Sequence, residues 1–322
     1  MNAKMFVMAG IGTLFIAACG LEPESLDHNP ATAESALVGS QQSVIPENTL
    51  HLQDNLLGVS GITEAEFNAT IERIRFLYTP LVYYHGGELN ITGDWTSSIV
   101  NAYASRSGST WNVAMHGGLA RRPEITPDGF ALVACHEVGH HLGGYPFYSG
   151  GLDWAAAEGQ SDWYATQACT RWLWNDDVEG NAAYSTTVEP VLRAKCDSAW
   201  TATADRNLCY RIGTAGKSFA DLSASLEGRT ISFSTPDTTV VTTTLISHPN
   251  AQCRLDTVVA AARCTVTPNF DIIPGFNVTS GRNSAVAEVE SAAVSCHPAS
   301  EWMGTPGYNH SDHPRCWFKN QL

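Results

Sequence analysis

Apolar residues recur at a helical period in one segment after residue 60. The repeat places Phe67, Ile71, Ile74 and Leu77 on one helical face. Thr63 and Glu66 have the spacing of a capping box, in which each side chain bonds to the backbone of the other residue. These features predict a helix that starts at Thr63 and runs to about Tyr78.

Shorter segments have the alternation or the β-branched composition that is typical of strands. They are residues 88–91, 98–103 and 111–115, and farther along the β-rich residues 230–234 and 238–246. Residues 188–194 and 219–226 are predicted to be helical. The mixture predicts an α+β fold.

A second helix is predicted to begin near Thr126, which can act as its N-cap. Pro127 suits the first helical position, and an apolar run from Phe130 follows. Gly143 and Gly144 are expected to end this helix, and Pro146 prevents it from resuming. Residues 136–140 therefore lie well inside a buried helix.

Those residues read H-E-V-G-H and suggest a metal site. His136 and His140 are four residues apart, so they share one helical face and can reach one ion. Glu137 lies about 100° around the helix, where it can contact a metal-bound water without being a ligand. A catalytic Zn²⁺ site needs this combination together with one more protein ligand.

Zinc hydrolases with this motif supply the third protein ligand in one of two ways. In one, a His or Asp follows the motif closely, but Pro146 occupies that position and has no ligating group. In the other, a second helix supplies a Glu about twenty residues later. Residues 153–174 are predicted to form such a helix, in which Glu158 and Asp162 share a face. We expect Glu158 to bind the metal and Asp162 to orient His136 through its free ring nitrogen.

The motif H-E-V-G-H, followed by E-G-Q-S-D at residues 158–162, resembles the thermolysin-like gluzincin metallopeptidases. The resemblance covers roughly residues 110–175. It implies a zincin-like catalytic domain with an active-site helix and a third-ligand helix. It also implies a zinc-dependent endopeptidase in which Glu137 is the general base. In gluzincins the strand before the active-site helix pairs with the substrate backbone, so residues 111–116 are expected to be that sheet edge.

Gluzincins often stabilise the oxyanion with a Tyr or a His. Tyr145 and Tyr148 are the nearest candidates, and His297, His310 and His313 are more remote ones. His141 follows His140 directly and is expected to point away from the ligand face.

Residues 1–18 resemble a bacterial lipoprotein signal, with Lys4 before an apolar stretch that is too short to span a bilayer. Cys19 is then the expected lipid attachment site, and an ordinary cleaved signal is the alternative. Gly20 resembles the outer-membrane sorting pattern. We therefore expect a bacterial cell-envelope protein, either an outer-membrane lipoprotein or a secreted one, with residues 19–56 as a flexible tether.

Eight cysteines follow Cys19, and an even count indicates an oxidising compartment. Nearest-neighbour pairing would join Cys196 to Cys209, Cys253 to Cys264 and Cys296 to Cys316. Cys135 and Cys169 would then remain, and a bridge between them could staple the two ligand helices. The domain organisation is thus a catalytic region at 57–185 and a disulfide-stabilised region at 186–322 that is expected to complete the cleft.

The formal net charge of −14 gives nucleic-acid binding no electrostatic basis. The expected partners are a protein or peptide substrate and, through lipid on Cys19, a membrane. Two alternatives to a peptidase remain open. One is a zinc-binding or structural envelope lipoprotein without turnover, which would not need Glu137. The other is a disulfide-rich binding module in which the H-E-V-G-H motif is incidental.

Overall fold

The computed structural model describes residues 41–53, 61–296 and 312–321. They all belong to one compact unit, Gly39–Leu322. The predicted signal peptide at 1–18 and Cys19 lie outside the described residues. Among the described helices, none combines the length and the apolar character needed to cross a lipid bilayer.

The sheet has four strands in the order β1-β3-β4-β2. The strands are Gln41–Ser43 (β1), Glu88–Asp94 (β2), Ala102–Ser107 (β3) and Thr110–His116 (β4). β3 and β4 form an antiparallel hairpin, β2 runs parallel to β4, and β1 runs antiparallel to β3. The fold is therefore mixed α+β, as predicted.

Two expectations about this sheet were wrong. β4 is not an edge, because β3 pairs with one side of it and β2 with the other. Residues 41–53 were expected to belong to a flexible tether, but β1 is a strand of the sheet, and the amide of Leu52 bonds to the Ser98 carbonyl at 2.8 Å. The residues of β1 itself, Gln-Gln-Ser, include no β-branched or aromatic side chain, so the sequence does not indicate that this backbone pairs with β3.

Helices cover both the middle and the end of the chain. They are Glu64–Tyr84 (α1), Gly117–Ala120 (α2), Pro127–Leu142 (α3), Glu158–Tyr164 (α4), Arg171–Trp174 (α5), Val178–Ala183 (α6), Pro190–Ala199 (α7), Thr203–Glu227 (α8), Ala251–Arg263 (α9) and Ala285–Val294 (α10). The capping box of α1 is present as predicted, and α1 extends beyond Tyr78 to Tyr84. Thr126 caps α3 by accepting a bond from the Gly129 amide.

The predicted helix at 153–174 is shorter and less regular than expected. It begins at Glu158, because the amides of Ala156 and Ala157 bond to the His140 and Pro146 carbonyls instead of starting a helix. A π-helical turn, Ala165–Thr170, then joins α4 to α5. Residues 230–246 form no regular strand; two of their amides, those of Val241 and Leu245, bond to the C-terminal segment.

Four disulfides hold the described chain together, and two of the predicted pairs are wrong. Cys196–Cys209 forms as expected, and Cys135 and Cys169, the two cysteines that nearest-neighbour pairing leaves over, also form a disulfide. The remaining four cysteines pair as Cys253–Cys316 and Cys264–Cys296. Nearest-neighbour pairing fails because Cys253 and Cys264 both lie on or directly after the regular helix α9, which separates them by several turns.

The two ligand helices approach each other at a glycine. A Cβ atom at Gly139 of α3 would lie 2.9 Å from the Ser161 carbonyl oxygen and 3.0 Å from the Ser161 Cα of α4. Both neighbours are backbone atoms, which cannot rotate away. The absence of a side chain at Gly139 therefore sets how closely α3 and α4 pack.

The observed pairing predicts which cysteine-containing peptides remain joined when the unreduced protein is digested. Mass spectrometry should find peptides that contain Cys253 joined to those with Cys316, and Cys264 joined to Cys296. A Cys253–Cys264 cross-link would contradict the fold around α9.

Replacing Gly139 with alanine should destabilise the protein by about 1–3 kcal/mol, because the added methyl group overpacks the contact between α3 and α4. At an unconstrained helix position the same change stabilises by about 1 kcal/mol. Denaturant unfolding measures the difference, with Asn68→Ala on the exposed face of α1 as the control. A Gly139→Ala variant that is more stable than the wild type would show that the helices are not in this contact.

Candidate metal centre

Three side chains from two helices converge on one point inside the protein. α3 supplies His136 and His140 from adjacent turns, and α4 supplies Glu158 from its first turn. One ligating atom from each residue lies within 4.8 Å of the other two, and all three side chains are fully buried. His136 Nε2 is 3.3 Å from Glu158 Oε2, and His140 Nε2 is 3.5 Å from Glu158 Oε1.

The other ring nitrogens of the two histidines are held by hydrogen bonds. His136 Nδ1 lies 2.7 Å from Asp162 Oδ1. His140 Nδ1 lies 2.8 Å from the Ala156 carbonyl oxygen. Since a carbonyl or carboxylate oxygen only accepts, each Nδ1 carries a proton, and each Nε2 lies on the side of its ring that faces Glu158. Both rings are therefore oriented so that Nε2 could bind a metal ion.

Asp162 is also paired with a buried cation. Arg254 of α9, which is 1% exposed, donates from Nε to Asp162 Oδ2 at 2.9 Å and from Nη2 to Asp162 Oδ1 at 2.8 Å. Burial opposes the charged form of Asp162, but Arg254 and His136 outweigh it and lower the pKa of this carboxyl. Asp162 thus stays anionic and keeps its bond to His136.

A metal ion suits the atoms that this arrangement leaves without partners. His136 Nε2, His140 Nε2 and Glu158 Oε2 are buried and make no hydrogen bond within the described residues. Unpaired buried acceptors are costly, and a cation placed among three of them removes that cost. The group could therefore bind a metal.

Glu137 lies beside this group and has no hydrogen-bond partner among the described residues. Both of its carboxylate oxygens are buried and unpaired, and its side chain is fully buried. The protein groups alone raise the pKa of Glu137 to about 8, because burial disfavours the charged carboxylate. Such a carboxyl group is poised to exchange a proton near neutral pH.

The pKa values of the three candidate ligands are shifted in different directions. Burial opposes the charged form of Glu158, but His248 and His140 outweigh it and hold the pKa of Glu158 well below its usual range. Burial lowers the pKa of His140 to about 4. Burial also lowers that of His136, but Asp162 outweighs it and raises the pKa to about 9.

The other predicted residues lie at different distances from the group. Tyr148 donates from its hydroxyl to Glu158 Oε1 at 3.1 Å, so it adjoins the site. Tyr145 points elsewhere, because its hydroxyl bonds to Glu288 and Gln321. His141 packs between the rings of Trp111 and Trp154, away from the ligand face.

His313 is also remote from the group: it stacks on Trp163 at 3.8 Å and lies 3.1 Å from Gln160 Oε1. His297, His310 and Cys19 lie outside the described residues.

Two polar residues adjoin the site without having been predicted, His248 and Arg254. His248 Nε2 lies 3.4 Å from Glu158 Oε2, and Arg254 Nη2 lies 3.9 Å from the same oxygen. No motif marks these residues, because they come from the region after residue 186.

Both side chains, together with Asn101 from the loop before β3, bind the backbone of residues 43–45. His248 Nε2 donates to the Ser43 carbonyl oxygen at 2.7 Å. Arg254 Nη1 donates to the Val44 carbonyl oxygen. Asn101 bonds to both backbone groups of Ile45: its Oδ1 accepts from the Ile45 amide at 3.4 Å, and its Nδ2 donates to the Ile45 carbonyl oxygen at 3.2 Å. A stretch of the chain's own backbone, residues 43–45, is therefore fixed beside the metal-ligand group.

Removing one ligand should abolish stoichiometric metal binding. Purified protein that has been treated with chelator and dialysed against Zn²⁺ is expected to retain about one ion per chain. His136→Ala should lose this ion, while His51→Ala, at an exposed histidine outside the group, should keep it. Elemental analysis measures the content, and equal retention by the two variants would place the metal elsewhere.

No family model, curated protein or solved structure was found to match the chain. The site is therefore interpreted from its own geometry.

Proposed function

We propose that the protein is a secreted, zinc-dependent endopeptidase with a zincin-like catalytic site. The observation that carries the proposal is the convergence of His136, His140 and Glu158 beside the unpaired carboxylate of Glu137. Two imidazole nitrogens and one carboxylate make a donor set that Zn²⁺ favours in catalytic sites. When bound there, Zn²⁺ would polarise the substrate carbonyl and acidify an attacking water.

The chain's own residues supply the remaining steps. Glu137 accepts a proton from the attacking water at a carboxylate oxygen and delivers it to the nitrogen of the departing amine. His248 donates from Nε2 to the carbonyl oxygen under attack, because it already donates to a backbone carbonyl there. Asp162 keeps His136 in the required tautomer, and Arg254 keeps Asp162 charged.

Peptide hydrolysis is favoured over other hydrolytic reactions by what lies beside the ligands. The main chain of residues 43–45 is held there by side-chain bonds to its carbonyls and amides. Groups that form hydrogen bonds with a backbone in this way can bind a peptide with little selectivity for its side chains.

A purely structural metal site is the alternative, and Glu137 argues against it. A structural site is stabilised by its ligands alone, so a buried carboxylate with two unpaired oxygens would only destabilise it. Such a group is retained where its proton transfer is needed.

The four disulfides suggest an extracellular or envelope protein. Anchoring through lipid on Cys19, with outer-membrane location, remains part of the proposal.

Replacing Glu137 with glutamine should lower peptide hydrolysis by about 100-fold or more, since general-base catalysis contributes ~10²–10⁴-fold. The metal content should stay at the wild-type level, because Glu137 is not a ligand. Cleavage of casein or of a peptide library, with and without chelator, measures the effect.

Glu179→Gln, at an exposed carboxylate of α6, is the matched control and should retain full activity. Equal, chelator-sensitive cleavage by wild type and Glu137→Gln would show that Glu137 is not the base. If metal-loaded wild-type protein cleaves nothing, the peptidase proposal is wrong and a non-catalytic metal site is favoured instead.

A further inference from the structure

The peptide bond between Ser43 and Val44 lies in the backbone segment that is fixed beside the metal-ligand group. β1 runs antiparallel to β3, with Ser43 opposite Tyr103, and the Val44 amide continues the pairing by bonding to the Ala102 carbonyl oxygen at 3.1 Å. Val44 and Ile45 are fully buried. The segment is thus bound through its backbone, and hydrogen bonds to β3 lie on both sides of the bond between Ser43 and Val44.

The carbonyl of that bond is connected to the metal-ligand group through His248. The Ser43 carbonyl oxygen and Glu158 Oε2 both lie within 3.4 Å of one atom, His248 Nε2. On the next residue, Arg254 binds the Val44 carbonyl while it also holds Asp162. The two carbonyls on either side of the Val44 nitrogen are therefore tied to side chains that contact a ligand or its supporting carboxylate.

We propose that the Ser43–Val44 peptide bond is a self-cleavage site of this protein. This inference rests on the proposed peptidase function and names one substrate for it, the chain itself. A water oxygen bonds to the Ser43 carbonyl carbon, and the bond from that carbon to the Val44 nitrogen breaks. Glu137 transfers both protons of the water to the Val44 nitrogen, one after the other, so that Ser43 ends as a carboxylate and Val44 begins with an ammonium group.

The neighbouring segments explain why one bond is presented to the site. Beyond Ile45 the chain is tied to residues 98–100: Asn48 donates from its side chain to the Val100 carbonyl, and Leu52 bonds to Ser98. Before Val44, the three residues of β1 pair with β3. The backbone is fixed on both sides, so the Ser43 carbonyl cannot turn away from His248 without breaking this pairing.

The test compares the N-termini of the full chain and its Glu137→Gln variant after purification and incubation with Zn²⁺. Intact-mass analysis and N-terminal sequencing should show wild-type chains that begin at Val44. The variant should keep Ser43 joined to Val44, with conversion at least ~100-fold slower. A Val44 terminus that forms equally in both would assign the cut to another protease and overturn the proposal.

The same preparations, assayed on a peptide library, separate the two proposals. Wild-type protein that cleaves the library but shows no Val44 terminus refutes self-cleavage and leaves the peptidase function intact. Wild-type protein that cleaves neither refutes the peptidase function as well.

A readout without turnover tests the placement of the segment. In Glu137→Gln, the amides of Val44 and Ile45 should exchange slowly with deuterium, because they bond to Ala102 and Asn101. Adding Asn101→Ala should speed exchange at Ile45, while adding Asn68→Ala should not. Fast exchange of both amides in Glu137→Gln would show that the segment does not occupy the cleft and would overturn the proposal.

Discussion

The site depends on burying opposite charges together. Glu158, Asp162 and Arg254 are all at most 1% exposed, and a single charge in such a place would be strongly destabilising. Asp162 resolves this by accepting two bonds from Arg254 and one from His136. Because that arrangement fixes the His136 ring, the position of the metal ligand follows from a charge pair that joins α4 to α9. The disulfide between Cys135 and Cys169 adds a covalent tie between α3 and the turn after α4.

The local part of this site is readable from the sequence, because the helical repeat alone sets it. Two histidines four apart on α3, and an acid four residues after Glu158 on α4, must share faces once the helices form. The capped start of α3 is equally local, since it needs only Thr126 and the three residues after it. The structure accordingly brings His136, His140, Glu158 and Asp162 together.

What the sequence does not disclose is set by contacts between distant segments. His248 and Arg254 reach the site from more than 80 residues beyond α4, and no spacing rule links them to it. Strand order is non-local in the same way: residues 110–116 look like a strand, but only the full sheet shows that β4 lies between two others. The pairing of the short β1 is also not evident from the sequence, because Gln-Gln-Ser includes no β-branched or aromatic residue that would indicate a strand.

The pairing of β1 with β3 also bears on how other peptides would reach the cleft. A tethered segment competes at a high effective concentration, on the order of millimolar for a short flexible connection, so a free peptide is at a disadvantage while the chain is intact. Cutting after Ser43 changes this balance. The cut leaves Val44 attached to residues that bond to 98–100, but it frees Gln41–Ser43, whose three-residue pairing is too short to persist by itself. The positions of β3 from Tyr103 to Ser105 would then be open to another backbone.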